Sequence, residues 1–162
     1  MRKLLNAAAA ATVVLALAGC QNALGDARGP MTGTWKFTMT GFQQSPVDST
    51  ITCNMETTYV VRQEGGQLEG RGSGGNVICY RGQTSLGGTY WEGGVVRGEV
   101  ENGHVHTSDA GNFHCFAELH PTRMEGYLES YGGWANEPSR TVRSGTCVLE
   151  KISDVGYDGP RA

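Results

Sequence analysis

From Gly33 onward the chain alternates apolar and polar residues in short runs broken by Gly, Asn and Pro, and no stretch sustains a helical period. Residues 34–40 set Trp35, Phe37 and Met39 against Thr34, Lys36, Thr38 and Thr40, one face apolar and the other wet. A second strand is expected within 51–63, where Ile51, Cys53, Met55, Tyr59 and Val61 share one parity. Glu64-Gly65-Gly66-Gln67 turns it into a third at 68–73, which sets Arg62 opposite Glu69. Residues 74–93 break the alternation and read as an insertion with a short strand at 77–81. Asn102-Gly103 is the dipeptide a type I′ hairpin wants between strands at 95–100 and 104–107. Further strands are expected at 112–119, 124–130 and 145–152. The pattern predicts an all-β, eight-stranded antiparallel up-and-down meander. Closing it into a barrel removes both exposed edges.

The turn geometry sorts the alternating positions into faces. Trp35, Phe37, Met39, Tyr59, Val61, Leu68, Val100, Val105, Phe113, Leu119, Met124 and Leu128 point inward, and Gly70, Gly72, Gly98 and Gly126 share that face. Those glycines leave either room for a ligand or space for the large aromatics opposite.

The N-terminal end follows a different pattern. Arg2 and Lys3 precede an apolar run over residues 4–18, interrupted only by Asn6 and Thr12, which is the layout of a secretory signal. About fifteen apolar residues fall short of the roughly twenty that span a bilayer. The run ends in Leu17-Ala18-Gly19-Cys20, which resembles the bacterial lipobox. That resemblance implies cleavage after Gly19, a diacylglyceryl group on the Cys20 sulfur and an acyl group on its new amino end. Each buried methylene contributes about 0.8 kcal/mol, so several chains on one residue hold a protein at a membrane. Gln21 in the next position implies, by the same resemblance, the outer membrane facing the periplasm. The expected organisation is a signal peptide at 1–19, a lipidated cysteine and tether at 20–32, a barrel domain at 33–153 and a tail at 154–162.

Losing Arg2 and Lys3 with the leader leaves 11 basic against 16 acidic residues, a formal charge of −5. A nucleic-acid partner is not expected of so acidic a domain. Four cysteines remain after Cys20, and none is spaced C-x-x-C, so an oxidising compartment points to two disulfides. Neighbourhood in the meander favours Cys53 with Cys79 and Cys115 with Cys147. The second pair, two strand spacings apart at about 9 to 10 Å, needs curvature or a bulge to close. The other pairings stay open.

Gly33-Thr34-Trp35 in the first strand, eight successive strands, and Arg140 and Arg143 near the last resemble the lipocalin and wider calycin plan, and also the avidin barrel. The resemblance implies a barrel that binds a small apolar ligand. It assigns no binding residue.

Candidate chemistry centres on histidines. His104 and His106 share one strand face, Glu99 faces His106 across the Asn-Gly turn, and an extrapolated register sets His114 opposite His106 and Glu129 opposite His114. Three imidazoles on adjacent strands suit Zn²⁺ or Cu²⁺, and the alternative is a solvated row of His and Glu pairs. Gly70-Arg71-Gly72-Ser73-Gly74-Gly75 matches G-x-G-x-x-G but precedes a strand-like run instead of a helix, so no dinucleotide site is expected. No serine sits in a nucleophile elbow, and Glu99 and Glu129 project outward instead of into a cleft. Trp91, Tyr131 and Trp134 in the longer segments are candidate ligand or partner contacts. The sequence thus points to a non-enzymatic, cofactor-free, lipid-anchored barrel that binds a small apolar ligand or an envelope partner. The alternatives are an inhibitor of a secreted or envelope hydrolase, contacting through 74–93 and 131–144, and a metal binder using the histidine row.

Overall fold

The period-two alternation resolves into β1 (Gly33–Phe42), β2 (Ile51–Glu64), β3 (Gln67–Gly72), β4 (Gly75–Arg81), β5 (Thr84–Trp91), β6 (Gly94–Glu101), β7 (His104–Asp109), β8 (Phe113–Glu118), β9 (Arg123–Gly132) and β10 (Arg140–Ser153). The computed structural model describes residues 29–43, 48–109, 113–132 and 140–160, with side chains described except at 130–132 and 140–144. The leader, Cys20 and Trp134 lie outside the described residues. All pairings are antiparallel, and β1 pairs with both β10 and β2. The sheet therefore closes as an eight-stranded barrel of β1, β2, β3, β6, β7, β8, β9 and β10, with β4 and β5 as two further strands.

The segment expected as an insertion at 74–93 is instead the far half of one long ribbon. Gly72 faces Gly94 and Gly75 faces Trp91, three residues on along each strand, so the β3–β6 register runs straight into that of β4–β5. The ribbon bends at Gly74 and Gly93, with φ of 81° and 82°. A Cβ at either would overlap a carbonyl oxygen of the opposite limb, Trp91 or Gly72. β5 escapes a reading by periodicity because seven of its eight residues are exposed, so no face of it needs to be apolar.

The hairpin registers at the tight turns are those the sequence predicts. Arg62 faces Glu69 and binds it at 2.9 Å, and Glu99 faces His106. Asn102 and Gly103 both have positive φ, 52° and 79°, as a type I′ turn requires.

Nine of the twelve residues expected to point inward are buried, and Val100, Phe113 and Leu119 pack partly buried against them. Met31, Phe42, Val96 and Leu149 complete the filling. Phe37 and Tyr59 pack at 4.7 Å between centroids, Phe42 and Phe113 at 4.8 Å. The largest of these side chains leave less than 2 % of their surface accessible to water, from Met31 and Trp35 at one end to Phe42 at the other. A ligand-sized cavity against them would leave them accessible surface, so these side chains themselves occupy the interior. Of the glycines on the inner face, Gly72 makes room for the Tyr59 and Trp91 rings, whereas a Cβ at Gly70, Gly98 or Gly126 would overlap the carbonyl of Val60, His106 or Phe116 on the adjacent strand, so those three let the sheet coil tightly. Burial also pushes the Tyr59 phenol well above its usual range, helped by the carboxylate of Asp109, to which the hydroxyl donates at 3.0 Å.

The floor of the barrel is built from both chain ends, which moves two expected boundaries. The tether expected to run to 32 gives way earlier, because Met31 is fully buried. Its N–H donates to Gln63 Oε1 at 3.0 Å, and its carbonyl accepts from Trp35 Nε1 at 2.9 Å. The tail expected from 154 packs on the domain instead of leaving it. The Thr34 hydroxyl donates to the Val155 carbonyl at 2.7 Å, and Arg62 stands 5.8 Å over the Tyr157 ring.

Both favoured disulfides form. Cys53 and Cys79 are direct cross-strand partners on β2 and β4, with Cα atoms 4.0 Å apart. Cys115 on β8 reaches Cys147 on β10 across the inner face of β9, with Cα atoms only 6.0 Å apart. The separation expected for a flat sheet is shortened by curvature. Cys147 lies beside Gly126 of β9, where the sheet folds so sharply that a Cβ would overlap the Phe116 carbonyl, and β10 carries a bulge between Arg143 and Thr146.

Candidate functional site

The outward parity of β6, β7, β8 and β9 carries the chemistry. Glu99, His106, His114 and Glu129 occupy it, and so do Phe116 and Tyr127. Sequence extrapolation across the β7–β8 loop errs here by two residues. His106 faces Phe116 and His114 faces Ser108, because β7 runs on to Asp109, past the 107 at which the alternation is expected to end, and moving the centre of the connection by one residue moves the pairing by two. A shift of two preserves the face, so the imidazoles still meet, diagonally. His106 Nε2 and His114 Nδ1 are 2.8 Å apart, within hydrogen-bond distance, while His106 Nδ1 stands 3.8 Å from Glu99. Glu129 faces His114 as expected.

His104 does not join this pair. It faces Glu101 and Glu118 one step along the same strand and is exposed. Among the described residues no group of three or more His, Cys, Asp or Glu is gathered to hold a metal ion. Trp91, expected as a contact residue, packs partly buried against the core at the bend of the ribbon, beside Gly72. Tyr131 lies on β9 facing Thr141, and only its backbone is described.

What the sequence reading passed over is the aromatic half of the row. The His106 ring stacks on Phe116 at 4.4 Å and 6° between planes, and Phe116 on Tyr127 at 5.1 Å and 16°. The signal was present: Phe116 shares the parity of His114 and Glu118, so an aromatic sits among outward polar residues. These rings wall a surface groove of about 670 Å³ that runs toward the Asn102-Gly103 turn. Glu99, Glu101, Glu118 and Glu125 also line it, and among the described residues no lysine or arginine does. Glu125 pairs with Arg123, which also binds Glu150 at 2.7 Å.

Partial burial lowers the His114 pKa below its usual value, His106 adds to the effect, and Glu129 opposes it. A depressed histidine stabilises the fold fully above its unfolded value of about 6.5, and that contribution is lost as pH falls through the folded value. The urea midpoint of the protein is therefore expected to fall between pH 7 and 5.5, and His114→Phe should flatten that slope. An unchanged slope in the variant would assign the titration to other groups.

The chain matches no protein-family model, and comparison with curated proteins and with solved structures finds none similar to it.

Proposed function

We propose that this protein is a lipid-anchored envelope lipoprotein whose calycin-like barrel is a non-enzymatic binding module, holding a cationic protein segment in the groove on its outer face. The observation that carries the reading is the contrast between inside and outside. The interior is filled by Trp35, Phe37, Phe42 and Tyr59, whereas the outer face offers stacked rings flanked by four carboxylates. Lysine and arginine side chains suit that combination, since the stems lie on apolar surface, the heads reach carboxylates and ring faces attract cations. Address comes from the lipobox: residues 17–20 would leave the protein tethered through Cys20 to the periplasmic side of the outer membrane.

The full chain extracted from an expressing bacterium tests both halves. The intact mass is expected to be that of a chain starting at acylated Cys20, with no small molecule retained. An unmodified precursor rejects the address, and a retained apolar ligand rejects the filled interior. Titration with an oligo-lysine peptide should show salt-sensitive binding that weakens at least tenfold in a Glu118→Gln, Glu125→Gln, Phe116→Ala variant. Equal binding by that variant, or none by the parent chain, overturns the groove.

A further inference from the structure

The ribbon that leaves the barrel ends in an unprotected sheet edge. β5 is the last strand in the sheet order, and among the described residues nothing pairs with its outer side. Its sequence, Thr84-Ser85-Leu86-Gly87-Gly88-Thr89-Tyr90-Trp91, has no charge and no proline, the residues by which edge strands ordinarily discourage pairing. A bulge falls at Leu86 and Gly87, where the register to β4 shifts and Gly87 has a φ of 96°, but Gly88 to Trp91 is a regular run opposite Gly75 to Ile78. The ribbon is held in place by the Cys53–Cys79 disulfide and by Arg81 bound to Asp48 at 2.9 Å. The edge is thus displayed on a fixed support. Its exposed apolar groups lie close together: Tyr90 at 61 %, Leu86 at 48 % and Ile78 at 40 %.

We infer that β5 is a dimerisation edge, at which a second copy of this chain adds its own β5 antiparallel about a two-fold axis through Thr89. Two features of the strand select a second copy as the occupant. The first is that the regular run is complementary to itself. In this register Thr89 faces Thr89 of the copy, and Tyr90, whose hydroxyl donates back to the Ser73 carbonyl at 3.4 Å, faces Gly88 of the copy. Cross-strand Thr pairs favour pairing, and a glycine opposite Tyr90 leaves the two backbones free to approach. The second is charge. The chain is acidic overall, so two copies repel across most surfaces, yet this run brings no like charges together. Beyond its end stands Glu92, which an antiparallel two-fold through Thr89 sets toward the uncharged Thr84-Ser85-Leu86 stretch of the copy. Main-chain hydrogen bonds along the edge supply the rest of the attraction.

Sedimentation of the full chain in density-matched detergent tests this. The parent chain is expected to show a concentration-dependent mass of two copies. Thr89→Lys places two ammonium groups opposite each other and should weaken self-association at least tenfold, as should Thr89→Glu. Because Thr89 is exposed, both variants are expected to fold, and mixing them should restore a dimer containing one of each. Three results would overturn the inference: a parent chain that stays single at all concentrations, a Thr89→Lys chain that dimerises like the parent, or a mixture that fails to pair. A single parent chain that takes up an unrelated extended peptide would assign the edge to a different partner and reject the second copy.

Discussion

Replacing Cys115 and Cys147 together by alanine is expected to lower the unfolding free energy by about 4 kcal/mol, from the chain entropy of a 32-residue separation. The melting temperature should drop by on the order of 10 °C. The bond joins strands that do not hydrogen-bond to each other, since β9 lies between them. It is therefore a second constraint on the curvature at Gly126, independent of the β8–β9 and β9–β10 ladders. The Cys53–Cys79 bond makes the contrast. Its 26-residue separation gives nearly the same entropic figure, but it joins residues already paired in a ladder, and the ribbon it steadies extends past the closed barrel. Removing it should mainly increase hydrogen exchange over 75–91 through local opening, with a smaller change in the global midpoint. Chemical denaturation of the two double-alanine variants, read beside exchange at β4 and β5, checks both statements. Equal loss of global stability from the two pairs would refute the distinction.

The second large effect is expected at Trp35. Trp35→Ala should cost about 3–5 kcal/mol, the range for deleting a buried aromatic where the surroundings collapse only in part. Trp35 has no exposed surface, faces Tyr59 on β2 and carries Lys151 Nζ 5.8 Å above its ring. Trp35→Phe isolates the indole hydrogen bond. It keeps most of the apolar contact but leaves the Met31 carbonyl without its donor, at about 1–3 kcal/mol. Met31 and Gln63 should then exchange faster than the strands around them, because the indole holds the Met31 carbonyl while the Gln63 amide holds its N–H, and losing the first loosens the segment on which the second depends. Denaturant midpoints for the two variants, with amide exchange at Met31, decide it. Slow exchange at Met31 in Trp35→Phe would show that side-chain packing alone holds the floor.

Which parts of this fold could be read from residues follows from the range of the forces involved. The Asn102-Gly103 turn sets its own backbone sign, so it also sets Glu99 against His106 and Val100 against Val105. The Gly65-Gly66 turn does the same for Arg62 and Glu69. Where the connection is not a tight turn, register drifts, and His114 lands beside Ser108 instead of His106. Parity survives that drift because the inward positions must stay apolar, and a shift by one would expose Cys115 and Ala117. The aromatic stack on the outer face was missed for a related reason. Phe116 and Tyr127 are eleven residues apart in the chain and meet only because β8 and β9 are paired, and stacking of four rings across three strands is a property of that pairing.

The chain's local chemistry alone settles the all-β class, the in–out parity of nearly every strand, the tight-turn registers and the placing of four cysteines, Cys53, Cys79, Cys115 and Cys147, within the strand-forming region. Each of these depends on neighbours within a few residues or on a period of two. Folding in three dimensions settles the rest: that β1 meets β10, that residues 74–93 prolong a hairpin, that Met31 plugs the floor, and that rings and carboxylates converge on one outer groove. Those outcomes depend on how strongly the sheet coils, and coiling is the sum of small twists and glycine-permitted bends over the whole barrel, which no short stretch of residues contains.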